Sequence, residues 1–557
     1  MKAPREVVRR LFGIMACFAT MACGPSGEGG TGVPPPAADL LRIDVDASTP
    51  THAISPAIYG VSFGTEETLR DLNIPLSRSG GNSASLYNWR IDARNAGSDF
   101  FFESLPVTAD IFDQFHNGFV DIARRGGAAA MITIPAIGWA AKLGPGRTKL
   151  AAFSIAKYGP QQDADTAYFP DAGNGVKPDG SFLRGNDPND AALSVDISAE
   201  TGARVQDIVQ RWGRADSGGV VYYVVDNEPS LWHLTHRAVH PVGAHAAEVA
   251  QKVVAVANAI HGADPSARVV APEEWGWLGY FDSGFDQQAK SENQPADELD
   301  RTKQTGGVDY LPYLLAQWRA AGHPVDVVSV HFYPQGGEYP RTDGGPRDVQ
   351  LRRNESTRLL WDTGYKARSW IDTEVALIPR LRGWVDTYYA AGTPIAITEY
   401  NWGGDDSMNG ATAQADIWGI FGREGLDLAN RWTAPGKGSP VYEAMRLIRN
   451  YDGQDGAFGD LSLAVDGPDP DRLAAFAARR STDKAVTLLL VNKSLDDPAP
   501  VDVRLSGLVS AGARNVTVYR LVQGQRSQNS ITLSNGTLRD ELPVQSIALY
   551  VIVDSGN

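Results

Sequence analysis

Between residues 58 and 433 the chain repeats one pattern: a short apolar segment, then polar residues, then an amphipathic segment that stops at Gly. The clearest apolar segment, Val220–Val225, would bury both faces of a strand, as in the parallel sheet of an α/β protein. Amphipathic segments near 244–262, 311–321 and 375–391 end at a Gly with Pro close behind, which is typical of helix termination. Repeated helix–strand units, with about eight strands, predict a (β/α)8 TIM barrel over residues 58–433. The other predicted strands are Ile58–Phe63, Leu76–Ser79, Ala130–Pro135, Arg268–Glu274, Asp326–Tyr333, Pro394–Trp402 and Leu426–Asn430.

Both ends of this region are followed by a different pattern. Leu40–Ala47 alternates apolar and polar residues, which indicates a half-buried strand. Beyond one helix near 442–451, short apolar segments are separated by turn-forming residues, and they lie at 473–479, 485–491, 515–520 and 547–553. We therefore predict an α/β protein with an added β-sandwich domain formed by both chain ends, from residues 39–57 and 434–557.

The first 38 residues have the pattern of an export signal and a spacer. Four basic residues precede an apolar segment at 11–22 that is too short to span a bilayer, so residues 1–22 are predicted to be a signal peptide. Residues 23–38 are rich in Gly and Pro and are predicted to be a flexible linker. Cys23 follows Thr20-Met-Ala22 and precedes Gly24, which resembles a bacterial lipoprotein box. We expect an exported protein, either extracellular or held at the cell surface or outer membrane by a lipid on Cys23.

The composition narrows the choice of partner and chemistry. The formal net charge is −15, from 66 Asp and Glu against 51 Lys and Arg, and no basic cluster stands out beyond the N-terminus. A nucleic-acid partner is therefore excluded, whereas a neutral polysaccharide is compatible with this charge. The two cysteines, Cys17 and Cys23, both lie in the export segment, so the mature fold is predicted to use no disulfide and no catalytic thiol.

Two glutamates occupy equivalent places, each at the carboxyl end of a predicted buried strand. Glu228 stands in Asp226-Asn-Glu-Pro229, and Glu399 stands in Thr398-Glu-Tyr-Asn-Trp402. Ligands of parallel sheets bind at the carboxyl ends of strands, and a pair of carboxyl groups is what cleavage of a glycosidic bond requires. Glu228 would be a protonated general acid and Glu399 an ionised nucleophile. The alternative for Glu228 is that it is an ordinary surface glutamate in a turn.

Three polar residues are candidates for supporting this pair. Arg78 and Tyr333 lie at the ends of an early and a middle strand, from which they could reach Glu399 and keep it ionised. Asn227 could hydrogen-bond the sugar 2-hydroxyl, a contact that strengthens in the transition state. The structural alternatives are a salt bridge for Arg78, a core position for Tyr333 and a turn for Asn227.

Aromatic residues cluster after the predicted strands. A pyranose ring presents apolar C–H faces that stack on indole, so a row of Trp suits a long sugar chain, although we expect about half of these rings to be packing residues. They are Tyr87, Trp89, Trp139, Trp232, Trp275, Trp277, Trp402 and Trp432.

His233, His236 and His240 form a candidate metal site. Two histidines three positions apart can share a helix face, but no His-Glu-x-x-His pattern and no cysteine accompanies them. Structural roles are favoured, and a metal-dependent hydrolase is kept as an alternative.

Several longer motifs run through almost the whole mature chain. They are Ile54–Gly60, Gly80–Asn82 with Tyr87–Trp89, Tyr168–Gly175, Gly185–Asp190, Asp226–Trp232, Glu273–Trp277, His331–Pro334, Thr398–Gly404 and Gly422–Gly425. Together they resemble glycoside hydrolase family 44, the endoglucanase and xyloglucanase family. The resemblance implies a (β/α)8 barrel with a β-sandwich, cleavage within β-1,4-glucan chains and retention of configuration, with Glu228 as acid/base and Glu399 as nucleophile. It also implies that structural calcium can bind, at ligands that the sequence does not identify. We expect catalysis itself to require no cofactor.

The sequence thus predicts a secreted, monomeric, retaining endo-β-1,4-glucanase that acts on cellulose-like β-glucan, xyloglucan or both. Another barrel glycosidase acting on xylan or mannan, and a non-catalytic carbohydrate-binding surface lipoprotein, are the alternatives. The residues predicted to bind substrate or to support the glutamates are Arg78, Asn82, Trp89, Trp139, Asn227, Trp232, Glu274, Trp275, His331, Tyr333, Tyr400 and Trp402.

Overall fold

The computed structural model of this chain describes residues 40–108, 117–508 and 512–553. The predicted signal peptide, the linker up to residue 38 and Cys23 lie outside these described residues. Among the helices that are described, none is long and apolar enough to cross a membrane.

Parallel strands close into a barrel in chain order, each hydrogen-bonded to the next, and the last pairs with the first. Barrel strands 1 to 8 are Gly60–Ser62, Leu76–Ser79, Ala129–Ile134, Tyr222–Val225, Arg268–Glu274, Val327–Phe332, Ile395–Tyr400 and Leu428–Arg431. The main helices that follow them, in the same order, are Glu66–Asp71, Asn117–Arg125, Ile197–Trp212, Ala246–Ala263, Tyr310–Ala320, Leu377–Tyr388, Met408–Arg423 and Pro440–Arg449. The predicted (β/α)8 barrel is confirmed.

Barrel strand 4 shows why its sequence is apolar at consecutive positions. Val224 points into the barrel interior, where it packs with Met131 and Val270 of the neighbouring strands. Tyr223 and Val225 belong to the larger apolar cluster that includes the surrounding helices. Because successive side chains of a strand point to opposite faces, a strand between an interior and a helical layer needs apolar residues at every position.

Insertions at the carboxyl ends of the barrel strands build walls around the mouth of the barrel. Those after strands 2 and 3 form two small antiparallel sheets. Their strands are Ala93–Asn95, Glu103–Pro106 and Leu150–Ala151 in one sheet, and Trp139–Ala141 and Ala192–Ser194 in the other. The remaining short helices of these walls are Ile155–Tyr158, Trp232–Thr235, Trp277–Phe281, Gly284–Ser291, Asp300–Lys303 and Arg347–Ser356. Active sites of such barrels are built from these carboxyl-end segments.

The helix Pro440–Arg449 lies beyond the predicted end of the barrel at residue 433 and packs against the first barrel helix. The Tyr442 hydroxyl donates to Asp71 Oδ2 at 2.5 Å, and Asn73 Nδ2 donates to the Arg449 carbonyl at 3.2 Å. Both partners lie at or just after the first barrel helix, so this helix completes the outer layer and the barrel extends to Arg449. The sequence did not show this because a helix next to a run of strands looks the same whichever domain it packs against.

The remaining strands form one largely antiparallel sheet that folds over on itself to make a β-sandwich, as predicted. Leu461–Asp466 pairs with the preceding half of the sheet through its first residues and with Leu41–Asp46 through its last. Leu41–Asp46 also pairs in parallel with Ala499–Ser506, so both ends of the described chain lie in this sheet. The sheet order is Gln525–Leu533, Arg514–Val522, Ser546–Ile552, Val486–Asn492, Leu473–Arg479, Leu461–Asp466, Leu41–Asp46, Ala499–Ser506 and Thr537–Leu542, with His52–Ala53 beside Leu461–Asp466.

Candidate active site

Five barrel strands deliver polar side chains to one mouth of the barrel, each at or just beyond its carboxyl end. They come from strands 2, 4, 5, 6 and 7, and they are Arg78, Glu228, Glu273, His331 with Tyr333, and Glu399. Hydrogen bonds link all of them into one cluster.

Glu399 lies at the base of this mouth and is 5% exposed. Arg78 Nη1 donates to Glu399 Oε1 at 2.8 Å, and the Tyr333 hydroxyl donates to Oε2 at 2.9 Å. A positive charge and a second donor both stabilise the ionised carboxylate. The structure therefore brings Arg78 and Tyr333 to Glu399, where the sequence predicted them.

Glu228 follows strand 4 in a left-handed backbone conformation, with φ 45°, which turns its side chain into the mouth. Its side chain is 15% exposed, and Oε1 is 2.8 Å from His331 Nδ1. Burial raises the pKa of Glu228, and the hydrogen bond with His331 works against this rise. The group therefore holds a proton more tightly than a glutamate in water does.

The carboxyl groups of Glu228 and Glu399 face each other across the mouth. One oxygen of each, together with a ring nitrogen of His331, lie within 4.8 Å of one another. His331 Nδ1 is 3.6 Å from Glu399 Oε2, so the imidazole lies beside both carboxyl groups.

Glu273 is the residue of this cluster that sequence reasoning missed. A register shift between Pro272 and Glu274 forms a bulge in strand 5, and Glu273 takes the left-handed conformation with φ 60°. This turns the fully buried Glu273 into the cluster. Burial alone would raise the pKa of Glu273, but the charge of Arg78 and the hydrogen bond from His331 lower it to about 2.

Glu274, which the sequence placed among the supporting residues, lies behind the cluster instead. It is fully buried, and Ser230 Oγ donates to its Oε2 at 2.5 Å. Burial raises the pKa of Glu274 to about 8. The signal in the sequence was the pair Glu273-Glu274, but only the bulge determines which of the two turns inward.

Asn227 and Asn82 extend the site along the cleft. Asn227 Nδ2 donates to Asn82 Oδ1 at 3.1 Å, and Asn82 Nδ2 donates to Asp99 Oδ1 at 3.0 Å. The buried Asp226 fixes the turn before them by accepting bonds from Ser85 Oγ at 2.5 Å and from the Ile137 amide at 2.9 Å. The roles of Asp99 and Asp226 were not predicted, because no sequence pattern specifies the residues that they contact.

Three of the aromatic residues predicted to bind substrate or to support the glutamates are core residues. Trp232 is 1% and Trp402 3% exposed, and Tyr400 is fully buried. The indole nitrogen of Trp402 donates to Ser356 Oγ at 3.0 Å, and that of Trp232 donates to the Asn227 carbonyl at 3.2 Å. The Tyr400 hydroxyl accepts a bond from Trp418 Nε1 at 2.9 Å. These rings turn into the helical layer, so their assignment to substrate binding is corrected.

Other rings stay accessible around the mouth. Trp89 and Trp139 are half-buried and line one pocket, with Tyr87 and Glu200 on its walls. Trp89 Nε1 donates to Glu200 Oε2 at 3.1 Å, which fixes the ring. The half-buried rings that remain are Trp275, Trp277 and Trp432, and the last lies 5.9 Å from the Arg78 guanidinium.

Among the described residues, His233, His236 and His240 do not form a group of three ligands at metal-binding spacing. Burial lowers the pKa of His233 to about 4 and that of His236 to about 3, so both are neutral packing residues. Calcium prefers six to eight oxygen ligands. In the part of the chain that the structure describes, the one group of three acidic or histidine side chains at ligand spacing is that of Glu228, His331 and Glu399. It includes an imidazole, and Arg78 already neutralises one of its carboxylates, so we assign no metal to it.

Comparison with known proteins identifies the family of this chain. A model of glycoside hydrolase family 44 matches residues 93–336. CelM2, a bifunctional glucanase-xylanase from a metagenome library, has a solved structure that is 47% identical, with a TM-score of 0.88 over 93% of this chain and 99% of that chain. The chain belongs to glycoside hydrolase family 44.

Two further relatives carry activities typical of this family. Endoglucanase A of Paenibacillus lautus is 30% identical over 498 residues, which are 85% of this chain and 66% of that enzyme. The family 44 xyloglucanase of Paenibacillus polymyxa is 27% identical, with a TM-score of 0.75 over 93% of this chain and 100% of that chain. The resemblance drawn from the motifs is therefore confirmed, and this family 44 chain is a glycoside hydrolase of the endoglucanase and xyloglucanase type. The alternative of a non-catalytic carbohydrate-binding protein is set aside.

Proposed function

We propose that this chain is a retaining endo-β-1,4-glucanase, with Glu399 as nucleophile and Glu228 as acid/base. The observation that carries the proposal is the spacing of the two carboxyl groups, whose nearest oxygens lie within 4.8 Å. Retaining glycosidases place their carboxyl groups about 5–5.5 Å apart, whereas inverting ones need roughly 6.5–9.5 Å to admit a water between carboxyl group and sugar.

The environment of each glutamate determines the step that it performs in the proposed reaction. Glu399, kept ionised by Arg78 and Tyr333, attacks the anomeric carbon as the glycosidic C–O bond breaks. Glu228, whose pKa is raised by burial, gives its proton to the departing oxygen. Glu228 then takes a proton from water, which attacks the same carbon, breaks the ester to Glu399 and restores both groups.

The substrate is proposed to be a β-1,4-linked glucan. The open walls with Trp89 and Trp139 suit a long sugar chain, because indole faces stack on pyranose rings. Relatives named as endoglucanase and xyloglucanase support a glucan main chain. CelM2 is named as a glucanase-xylanase, which makes xylan the second candidate. Reducing-sugar release from purified cellulose, mixed-linkage glucan, xyloglucan, xylan and mannan decides among these substrates.

Replacing the two glutamates tests the mechanism. Glu399→Ala should abolish turnover, and added azide should restore product of inverted anomeric configuration, because azide fills the space of the lost carboxylate. Glu228→Ala should spare aryl glycosides with activated leaving groups, which need no proton in the first step. Glu274→Gln is the matched control, a buried neighbouring carboxyl group outside the cluster, and should leave kcat within about twofold. Turnover by Glu399→Ala without azide would rule out the assignment.

We also propose that the chain is exported, with a lipid on Cys23 as one of two outcomes. Support comes from the basic and apolar segments before Cys23 and from the Gly and Pro-rich spacer after it. Labelling cells with a radioactive fatty acid should mark the wild-type protein and leave Cys23→Ser unlabelled. Unlabelled wild-type protein in the medium would instead indicate simple secretion.

Catalysis is proposed to need no cofactor. The two cations that neutralise the site, Arg78 and protonated His331, belong to the chain itself. Dialysis against a chelator should therefore leave kcat unchanged, and a loss of kcat that a divalent cation restores would contradict the proposal.

A further inference from the structure

Glu273 is anchored more tightly than either glutamate of the proposed mechanism. Three donors from three strands converge on it: Arg78 Nη2 at 2.9 Å, His331 Nε2 at 3.1 Å and Thr398 Oγ1 at 2.7 Å. It is fully buried, and it reaches the cluster only through the bulge of strand 5 and a left-handed backbone. Such a backbone conformation persists only where the surrounding structure holds it in place, and the three donors to Glu273 do so here.

Two of these donors also hold the glutamates of the proposed mechanism. The second nitrogen of the Arg78 guanidinium donates to Glu399, and the second ring nitrogen of His331 bonds to Glu228. Glu273 is fully buried, and it is the common hydrogen-bond partner of Arg78 and His331, the two residues that bond Glu399 and Glu228.

The charges of the cluster balance only when Glu273 is counted. The charged and titratable groups that face His331 are Arg78, Glu228, Glu273 and Glu399. With Arg78 and His331 positive and Glu273 and Glu399 negative, the cluster is neutral when Glu228 holds its proton. Burial by itself would lower the pKa of His331, but Glu399, Glu228 and Glu273 together raise it to about 10.

Nearby hydroxyl groups do not change this balance. The Tyr333 hydroxyl donates to Glu399, and that of Tyr280 donates to the His331 carbonyl. Their pKa values are raised well above 10, chiefly by burial, so both stay neutral. Removing Glu273 would leave two positive charges against one negative charge among largely buried groups. Of the two cations, His331 is the one that can lose its proton.

We propose that Glu273 is a positioning residue that keeps His331 doubly protonated, so that its Nδ1–H donates to Glu228 throughout the reaction. The inference rests on the proposed function only in naming Glu228 as the acid. An imidazolium beside Glu228 stabilises the carboxylate that remains after the proton has left, which favours proton transfer to the departing sugar. A neutral imidazole would stabilise that carboxylate less.

The test compares Glu273→Gln, Glu273→Asp and, as a matched control, Glu274→Gln, each checked for folding by circular dichroism. In protein labelled with 15N at histidine, the ring signals of His331, identified by their absence in His331→Asn, should show both nitrogens protonated at pH 8 in the wild type. In Glu273→Gln one nitrogen should be deprotonated at that pH. Glu273→Asp, which keeps the charge, should restore the doubly protonated ring, and Glu274→Gln should match the wild type.

Kinetics supply a second measurement. In Glu273→Gln kcat at pH 8 should fall by about tenfold or more, with a smaller loss at pH 5 and little change in KM. An equal loss at every pH, with His331 still doubly protonated, would show a merely structural role and overturn the inference. If Glu273→Gln does not fold, a neutral His331 ring in the wild type at pH 8 overturns it as well. The nitrogen signals are measured without substrate, so they test the role of Glu273 independently of the activity of Glu399→Ala. Failure of the Glu399→Ala test would contradict the proposed function but not the protonation of His331.

Discussion

At the scale of single residues, Arg78 shows why a guanidinium and not an ammonium occupies the centre of the cluster. Its Nη1 and Nη2 donate to carboxylates from two different strands, Glu399 on strand 7 and Glu273 on strand 5. A guanidinium presents these donors in a fixed planar fork, whereas the ammonium of lysine is a point charge on a flexible stem. One side chain therefore fixes the positions of both Glu399 and Glu273.

Arg78→Lys should lower kcat by about 100-fold, because one of the two carboxylates loses its donor while the charge is kept. Steady-state kinetics on soluble β-glucan measure the loss, and circular dichroism confirms the fold. Arg358→Lys, at an ion pair with Asp362 away from the mouth, is the control and should be close to wild type. Activity of Arg78→Lys within about threefold of the wild type would mean that charge alone matters.

The residue scale is also where the sequence was least informative. Glu228 and Glu399 were predictable because a polar residue after a buried strand must emerge at the barrel mouth. The same reasoning failed for Trp232, Trp402 and Tyr400, which emerge there and then turn back into the helical layer. The position of a residue along a strand determines where its backbone lies. The direction of its side chain, however, depends on contacts with residues that are distant in the sequence.

At the scale of elements, the bulge of strand 5 separates two adjacent glutamates into opposite charge states. Glu273 faces two cations and has a pKa of about 2, and Glu274 faces Ser230 and the helical layer and has a pKa of about 8. In a regular strand, neighbouring side chains also point to opposite faces. Here the bulge determines that Glu273, and not Glu274, points into the barrel mouth. No local pattern in the sequence specifies that bulge, whereas the apolar strands and the Gly and Pro stops did specify the barrel.

The raised pKa of Glu274 predicts a pH-dependent stability. Unfolded glutamate has a pKa of about 4.3, so between about pH 4 and 8 the unfolded state releases the proton and the folded state keeps it. The contribution to stability is therefore complete below about pH 4 and is lost as the pH rises towards 8. In Glu274→Gln this loss, on the order of 5 kcal/mol, should be absent. Thermal midpoints measured from pH 4.5 to 8 should fall less steeply for this variant than for the wild type.

The control for this prediction is Glu298→Gln, because Glu298 is exposed. Its midpoints should follow those of the wild type over the whole range. Parallel curves for the wild type and Glu274→Gln would show that Glu274 is ionised in the folded protein.

The wall segments carry the prediction about the sugar chain. Trp89 follows strand 2 and Trp139 follows strand 3, and both line one pocket beside the mouth. Replacing either with Ala in the inactive Glu399→Ala background should weaken binding of a long β-glucan oligosaccharide by about 1–3 kcal/mol, because the stacked apolar area is lost. Calorimetric titration measures this change. The control is Trp212→Ala, at the end of a barrel helix, which should bind the oligosaccharide as the parent does. If the Trp89 and Trp139 variants also bind normally, neither ring contacts the substrate.

At the scale of the whole molecule, the sandwich and the barrel share a tightly packed interface. In Val486–Asn492, Leu488 and Leu490 face the sandwich core, whereas Leu489 and Val491 join the barrel cluster. A Cβ added to Gly419, on the helix after strand 7, would meet the Phe476 ring at 2.2 Å, so this glycine lets the helix approach the sheet. A fully buried ion pair, with Lys493 Nζ 2.8 Å from Asp416 Oδ2, crosses the same interface. The two parts therefore form one packed unit.

The strand Leu41–Asp46, near the N-terminus, pairs with strands from the C-terminal part of the chain. It lies between Leu461–Asp466 and Ala499–Ser506 and is hydrogen-bonded to both, so it links the two halves of the folded sheet. Its inward side chains, Ile43 and Val45, are 0% and 2% exposed and pack in the sandwich core. Removing it would expose two strand edges as well as this apolar surface.

A chain that begins at Ala47 should therefore unfold at a lower temperature than one that begins at Leu40. Burial of Ile43 and Val45 contributes about 1.5–3 kcal/mol for each side chain, and the loss of two strand pairings adds to this. Amide hydrogen exchange should become faster in Ala499–Ser506, which loses its partner, whereas the barrel strands should stay protected. Activity at low temperature should persist, because Leu41–Asp46 contributes no residue to the mouth of the barrel. Equal unfolding temperatures for the two chains, with equal exchange in Ala499–Ser506, would show that the sandwich closes without this strand.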